Sequence, residues 1–234
     1  MNPNDPNVAM MEIVAERLGK ALRDEFVFIG GAVTGLLITD SGQPSIRPTE
    51  DVDLIVHAAV RADYQRVEDG LRQRGFVNDL SKDAPICRWR VGGVTVDVMP
   101  TLEEILGFTN LWYPMALATA TPAQLPSGTT IRLVAPPVFL ATKFVAFADR
   151  GKADYLFSHD LGDLIAVIDG RDELIAECSQ CDVELRNFLR ENTRALLATR
   201  AFHDALPGHL PGDAASQARL PDLLAKLHTI ADLE

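Results

Sequence analysis

The stretch TEDVDLIV, residues 49–56, limits what this chain can fold into more than any other segment. Leu54, Ile55 and Val56 form an apolar run that belongs in a core, so the segment reads as a strand. Alternation along a strand puts Asp51 and Asp53 on one face. Two like charges side by side at the end of an apolar strand repel each other and lose hydration. A divalent cation bound there would offset that repulsion, and this makes the pair a candidate metal site.

The flanking segments sort by periodicity. Residues 8–24 repeat apolar positions at helical spacing, from Val8 through Met11, Val14 and Leu18 to Leu22. FVFIGG (26–31) reads as a short buried strand ending in Gly30 and Gly31, and AVTGLLIT (32–39) as a helix. DSGQPSIRPTE (40–50) has the composition of a loop. Residues 61–76 form an amphipathic helix pattern closing at Gly75. ICRWRV (86–91) and VTVDVMP (94–100) alternate at period two around Gly92-Gly93, a hairpin signal. Further strands are expected near 115–120 and 130–135. Beyond Pro136-Pro137 the pattern turns helical, over 138–150, 158–170, 182–206 and 214–234. The expected organisation is an α/β unit at 1–135 followed by a helical unit at 136–234, with no internal repeat.

Three features converge on chemistry. The first strand ends in Gly30-Gly31 and leads into a helix, a junction where backbone N–H groups and the missing side chain admit a phosphate. Asp51 and Asp53 follow on the next strand. Asp97 is again one acid in an otherwise apolar alternating strand, VTVDV. Three acids on neighbouring strands beside a glycine turn suit Mg²⁺, a hard cation that takes carboxylate and phosphate oxygens. The matching chemistry is metal-assisted phosphoryl or nucleotidyl transfer, with a third carboxylate helping to activate the attacking hydroxyl.

The residues IGG, RPTEDVDLIV and VTVDV together resemble the signature of the DNA polymerase β-like nucleotidyltransferase superfamily. Downstream, KFVAFADRGKADYLFSHDLGDLIAVI sets a lysine, an arginine seven residues on, and Asp-x-x-Asp. This resembles the AbiEii/MenT-type nucleotidyltransferase toxins, with His159 where many members have an arginine. The likeness spans about residues 26–170. It implies an α/β (α+β) fold: a small mixed nucleotidyltransferase-type sheet with flanking helices, followed by a C-terminal helical bundle. It implies that Gly30 and Gly31 face the triphosphate, that Asp51 and Asp53 hold Mg²⁺, and that Asp97 completes the metal site and activates the acceptor. Lys143 would contact the triphosphate and Asp160 would orient that lysine or the nucleotide. Arg150, Lys152 and Asp163 stand behind these, and Arg47 lies close enough to the acid pair to neutralise a phosphate.

The resemblance thus implies an enzyme that moves a nucleoside monophosphate from an NTP to an acceptor hydroxyl. A tRNA 3′ end would be the acceptor and an antitoxin protein the partner. The charge works against a large nucleic-acid footprint: 33 acidic residues against 22 basic give −11. If tRNA is the acceptor, Arg61, Arg66, Arg72, Arg74, Arg88, Arg90 and Lys152 are the residues to supply a basic groove. A protein or small-molecule acceptor is an alternative, as is a catalytically silent binding protein of the same fold. Cys178-x-x-Cys181 has no second pair to complete a zinc site. Trp89 and Trp112 read as packing residues. No apolar run reaches the roughly 18 residues of a membrane span, and the N-terminus lacks the basic-then-apolar order of a signal peptide. The expected compartment is the cytoplasm. The final 60 residues carry no distinctive motif.

Overall fold

The computed structural model describes residues 5–40, 42 and 46–234. Residues 41 and 43–45 of the expected 40–50 loop lie outside the described residues. The chain divides into two compact units, one from Asn4–Val33 and Arg47–Ala135, the other from Thr34–Ile46 and Pro136–Glu234.

The first unit is built on a mixed seven-stranded sheet. Its strands are β1 (Phe26–Ile29), β2 (Asp51–Val56), β3 (Val77–Asn78), β4 (Arg88–Val91), β5 (Val94–Pro100), β6 (Thr121–Gln124) and β7 (Thr130–Leu133), in the order β3-β4-β5-β2-β1-β7-β6. β2 pairs parallel with β5, and β1 with β7; the other pairs are antiparallel. The β4–β5 hairpin turns at Gly92 and Gly93, with φ of 56° and 83°. That left-handed pair is the two-residue turn whose twist matches the strands it joins.

Val52, Leu54, Trp89, Val96 and Val98 are fully buried. The helix Val8–Arg23 packs Met11, Val14, Ala15, Leu18 and Leu22 inward. Gly19 breaks its helical φ/ψ at φ 64°, and the carbonyls near the break find other donors. Arg74 Nε donates to Leu18 O at 2.6 Å and Arg23 Nη1 to Ala15 O at 2.9 Å.

One expected strand is instead a helix. Residues near 115–120 lie mostly in Tyr113–Thr119, where Pro114 occupies the first turn and costs no hydrogen bond. Met115, Ala116, Leu117 and Ala118 are strong helix formers that outweigh the apolar pattern.

The second unit is helical: Thr34–Leu37, Pro136–Arg150, His159–Gly170, Leu174–Gln180, Val183–Leu197, Arg200–Ala205, Ala214–Gln217 and Leu220–Ala231. The helix expected over 182–206 breaks after Leu197. Thr199 takes an extended conformation and its hydroxyl donates to Ala195 O at 2.9 Å, competing with the helix ladder. The segment 214–234 likewise splits, because Pro221 opens a new helix rather than continuing one. The last 60 residues tie back through Arg219, whose Nε donates to Asp169 at 2.9 Å, and Lys226, whose Nζ donates to Asp169 O at 2.7 Å. Among the described residues, no helix is long and apolar enough to cross a membrane.

Candidate functional site

Strand register alone assembles the acids. Asp53 is the Cα partner of Asp97 across the parallel β2–β5 pair, and Asp51 sits two residues earlier on the same face. One carboxylate oxygen from each of Asp51, Asp53 and Asp97 falls within 4.8 Å of the other two. Asp97 is buried, while Asp51 and Asp53 are half-buried. The opposite face of these strands carries the buried Val52, Leu54, Val96 and Val98. A one-residue slip would exchange the two sets, so packing locks the acids in place.

Gly30 closes the other flank. Ile29 pairs with Asp53 across β1–β2, and Gly30 follows with φ 77°. A Cβ at Gly30 would lie 1.8 Å from Asp53 Oδ2. Glycine therefore serves twice there, accepting a left-handed backbone and leaving space for a carboxylate. Gly31 begins a turn of 3₁₀ helix and is buried.

The segment before Asp51 is held by the fully buried Asn7. Its Nδ2 donates to Arg47 O at 3.0 Å, its Oδ1 accepts from Thr49 N at 2.9 Å, and Thr49 Oγ1 donates to Asp51 O at 3.1 Å. Arg47 Nη1 turns to Pro48 O at 3.1 Å.

Arg88, on β4, is the residue at this site that sequence reasoning placed elsewhere. Its Nε and Nη2 donate to the two oxygens of Asp97 at 2.8 and 2.7 Å, and Nη2 also donates to Asp51 Oδ2 at 3.2 Å. The hydrogen bonds it donates to Asp97 push the guanidinium's pKa further above its ordinary value, so it is a permanent cation. The signal was present in the hairpin: a two-residue turn at Gly92-Gly93 pairs Val91 with Val94 and therefore Arg88 with Asp97. Cys87 precedes it and is buried. Burial, with the Asp97 charge, pushes its thiol up to about 12 and keeps it protonated. The donor set is all carboxylate oxygen, which fits a hard divalent cation rather than zinc.

The helical unit carries a second cluster. Lys143 and the pair Asp160 and Asp163 are buried. Lys143 Nζ donates to Asp160 Oδ1 at 3.1 Å and to Asp163 Oδ2 at 2.7 Å. Arg150 forks onto Asp160 with Nε and Nη2 at 2.7 and 2.8 Å. Spacing explains the convergence: Asp160 and Asp163 are i, i+3 on the helix His159–Gly170, one turn apart on the same side. Burial alone would raise the Asp160 carboxyl, but the Arg150 hydrogen bonds and the charges of Lys143 and Arg150 outweigh it and hold it below its ordinary value. Arg150, Lys152, Phe157 and His159 line a cavity of about 340 Å³ beside this cluster, with Lys152 at a left-handed φ of 49°.

The arginines expected to form a basic groove bond within the protein. Arg61 donates to Ile105 O, Arg66 pairs with Asp63, Arg72 with Asp69, Arg74 donates to Leu18 O, and Arg90 pairs with Asp79. Trp89 and Trp112 are buried packing residues. Cys87, Cys178 and Cys181 are free thiols.

No family model matches the chain, and no curated protein matches it. Among solved structures it is similar to an antigenic nucleotidyltransferase-like protein from Paracoccidioides brasiliensis. The TM-score is 0.53 at 22% identity, over 97% of this chain and 94% of that one. It is also similar to the protein JHP933 from Helicobacter pylori, with a TM-score of 0.47 at 13% identity over 96% and 91% of the two chains. The nucleotidyltransferase-like fold rests on the first of these.

Proposed function

We propose that the protein is a Mg²⁺-dependent nucleotidyltransferase that moves a nucleoside monophosphate from an NTP to an acceptor hydroxyl. The observation that carries the reading is the meeting of Asp51, Asp53 and Asp97 within 4.8 Å on adjacent strands beside the Gly30 turn. The nucleotidyltransferase-like fold of the similar structure supports it. In this proposal Asp51, Asp53 and Asp97 hold the metal. Bound magnesium would spread the charge developing on the α-phosphate and lower the pKa of the acceptor hydroxyl. Asp97 takes the hydroxyl proton as the acceptor oxygen bonds to the α-phosphorus. The bond from that phosphorus to the β-phosphate oxygen breaks, and pyrophosphate leaves. Backbone groups at Gly30 and Gly31 face the triphosphate. The residues up to 135 would be the transferase core and residues 136–234 a helical domain. Within the latter, Lys143, oriented by Asp160, is a phosphate-binding lysine.

For the acceptor, the sequence resemblance to AbiEii/MenT-type toxins favours a tRNA 3′ end, a toxin–antitoxin role and a cytoplasmic site of action. The net charge of −11 favours a protein or small-molecule hydroxyl instead. Label transfer from each α-³²P NTP, with Mg²⁺, to total RNA and to protein separates the two. Label lost in Asp51→Ala/Asp53→Ala supports transfer and names the acceptor class. Unlabelled RNA and protein point to a small acceptor, and the absence of nucleotide binding as well would refute the enzyme reading.

A further inference from the structure

We infer that Arg88 is a built-in counter-ion of the acid cluster, a positioning residue that holds Asp97 and Asp51 while the metal is absent and competes with the metal for them. The inference rests on the metal-dependent reading above and adds a control on loading that the reading does not require.

The geometry supplies each part. The β4–β5 turn fixes Arg88 opposite Asp97, so the contact follows from register rather than from a chance rotamer. The guanidinium forks onto both oxygens of Asp97, the stronger kind of charge-assisted pair. Its Nη2 also reaches Asp51 Oδ2, at 3.2 Å against 2.7 Å for Asp97. One nitrogen therefore lies within hydrogen-bond reach of a carboxylate oxygen from each strand.

Magnesium needs its carboxylate oxygens at about 2.0–2.1 Å. A dication sharing Asp51 and Asp97 would stand beside a permanent cation, with little water between them because Asp97 is only 8% exposed. The longer Asp51 contact is the one that gives first. Loading then exchanges Arg88 for the metal at Asp51. Without Arg88, the metal-free cluster would hold three neighbouring carboxylates with one fewer positive charge.

The test uses the full chain and the metals alone. Calorimetric titration of Mg²⁺ and Mn²⁺ into wild type, Arg88→Ala and Arg88→Lys is read beside the metal-induced rise in Tm. Removing the competitor should tighten binding by about tenfold, the equivalent of one charge-assisted hydrogen bond no longer broken. Arg88→Ala should also melt lower than wild type without metal and show the larger rise with it. Arg88→Lys keeps the charge but loses the fork, so its affinity should fall between the two. Equal or weaker metal binding by Arg88→Ala overturns the inference. If that variant does not fold, unchanged binding by Arg88→Lys overturns it. Asp51→Ala/Asp53→Ala distinguishes this failure from failure of the site itself: metal binding that survives the double substitution refutes the site. Absence of binding in wild type and Arg88 variants alike refutes both.

Discussion

A side-chain carbon on Gly30 would stand 1.8 Å from Asp53 Oδ2 and 2.6 Å from its Cγ. The glycine turn and the second acid of the pair are therefore one construction. Gly30→Ala meets two costs, a left-handed φ that disfavours an L side chain by roughly 1–2 kcal/mol and the displacement of a carboxylate. We expect this variant to remain folded with a Tm lowered by several degrees and to lose nucleotidyl transfer by at least about a hundredfold, comparable to removing an essential charge-stabilising group. Retained transfer with wild-type kinetics would show that the position of Asp53 is not critical.

Asp53→Asn separates stability from function. Asn keeps the shape of the side chain while removing one of three neighbouring carboxylate charges, in a cluster that also holds the Arg88 guanidinium. The variant should remain folded, while the rise in Tm on adding Mg²⁺ disappears and transfer falls with it. A rise in Tm with Mg²⁺ as large as in wild type would place the metal elsewhere.

Much of this is legible in the sequence. Period-two alternation placed Asp51, Asp53 and Asp97 on strands, and the change of pattern after Pro136-Pro137 located the helical region. Two classes of feature escaped. The helix at Tyr113–Thr119 and the break at Thr199 depend on local propensity and one hydroxyl, which a hydrophobic pattern does not register. Arg88 escaped for a different reason. Its place follows from pairing across the hairpin, whereas the sequence pattern alone puts it among the arginines of a basic groove. Pairing through a known turn length would have put it opposite Asp97.

The lysine cluster predicts a pH signature. Asp160 titrates below its unfolded value of 3.8. Its contribution to stability is fully present above that value and is lost as pH falls through the lower folded one. Asp160→Asn should therefore lower Tm at pH 7, by an amount equivalent to about 3 kcal/mol for a buried pair losing one partner. It should also flatten the fall in Tm between pH 5 and pH 3, read by calorimetric scans across that window. A slope unchanged from wild type would assign the acid sensitivity to other carboxylates.

Finally, the paired arginines set the salt dependence of any RNA binding. Each phosphate neutralised by a free cation steepens the fall of log affinity with log salt by about 0.7 for single strands and 0.9 for duplex. Arg66, Arg72 and Arg90 already hold acids in the protein, and Arg61 and Arg74 donate to backbone carbonyls. Recruiting the three exposed ones to phosphate would trade those pairs at under about 1 kcal/mol each, so the larger obstacle is the repulsion of a chain carrying −11. Filter binding of total tRNA between 50 and 200 mM salt should therefore show weak affinity and a slope shallower than about −3, a footprint of few phosphates. A slope near −6 or steeper would reveal a basic surface formed by other residues and would return tRNA to the front of the acceptor classes. A shallow slope together with RNA labelling would describe an enzyme that grips only the end of its acceptor.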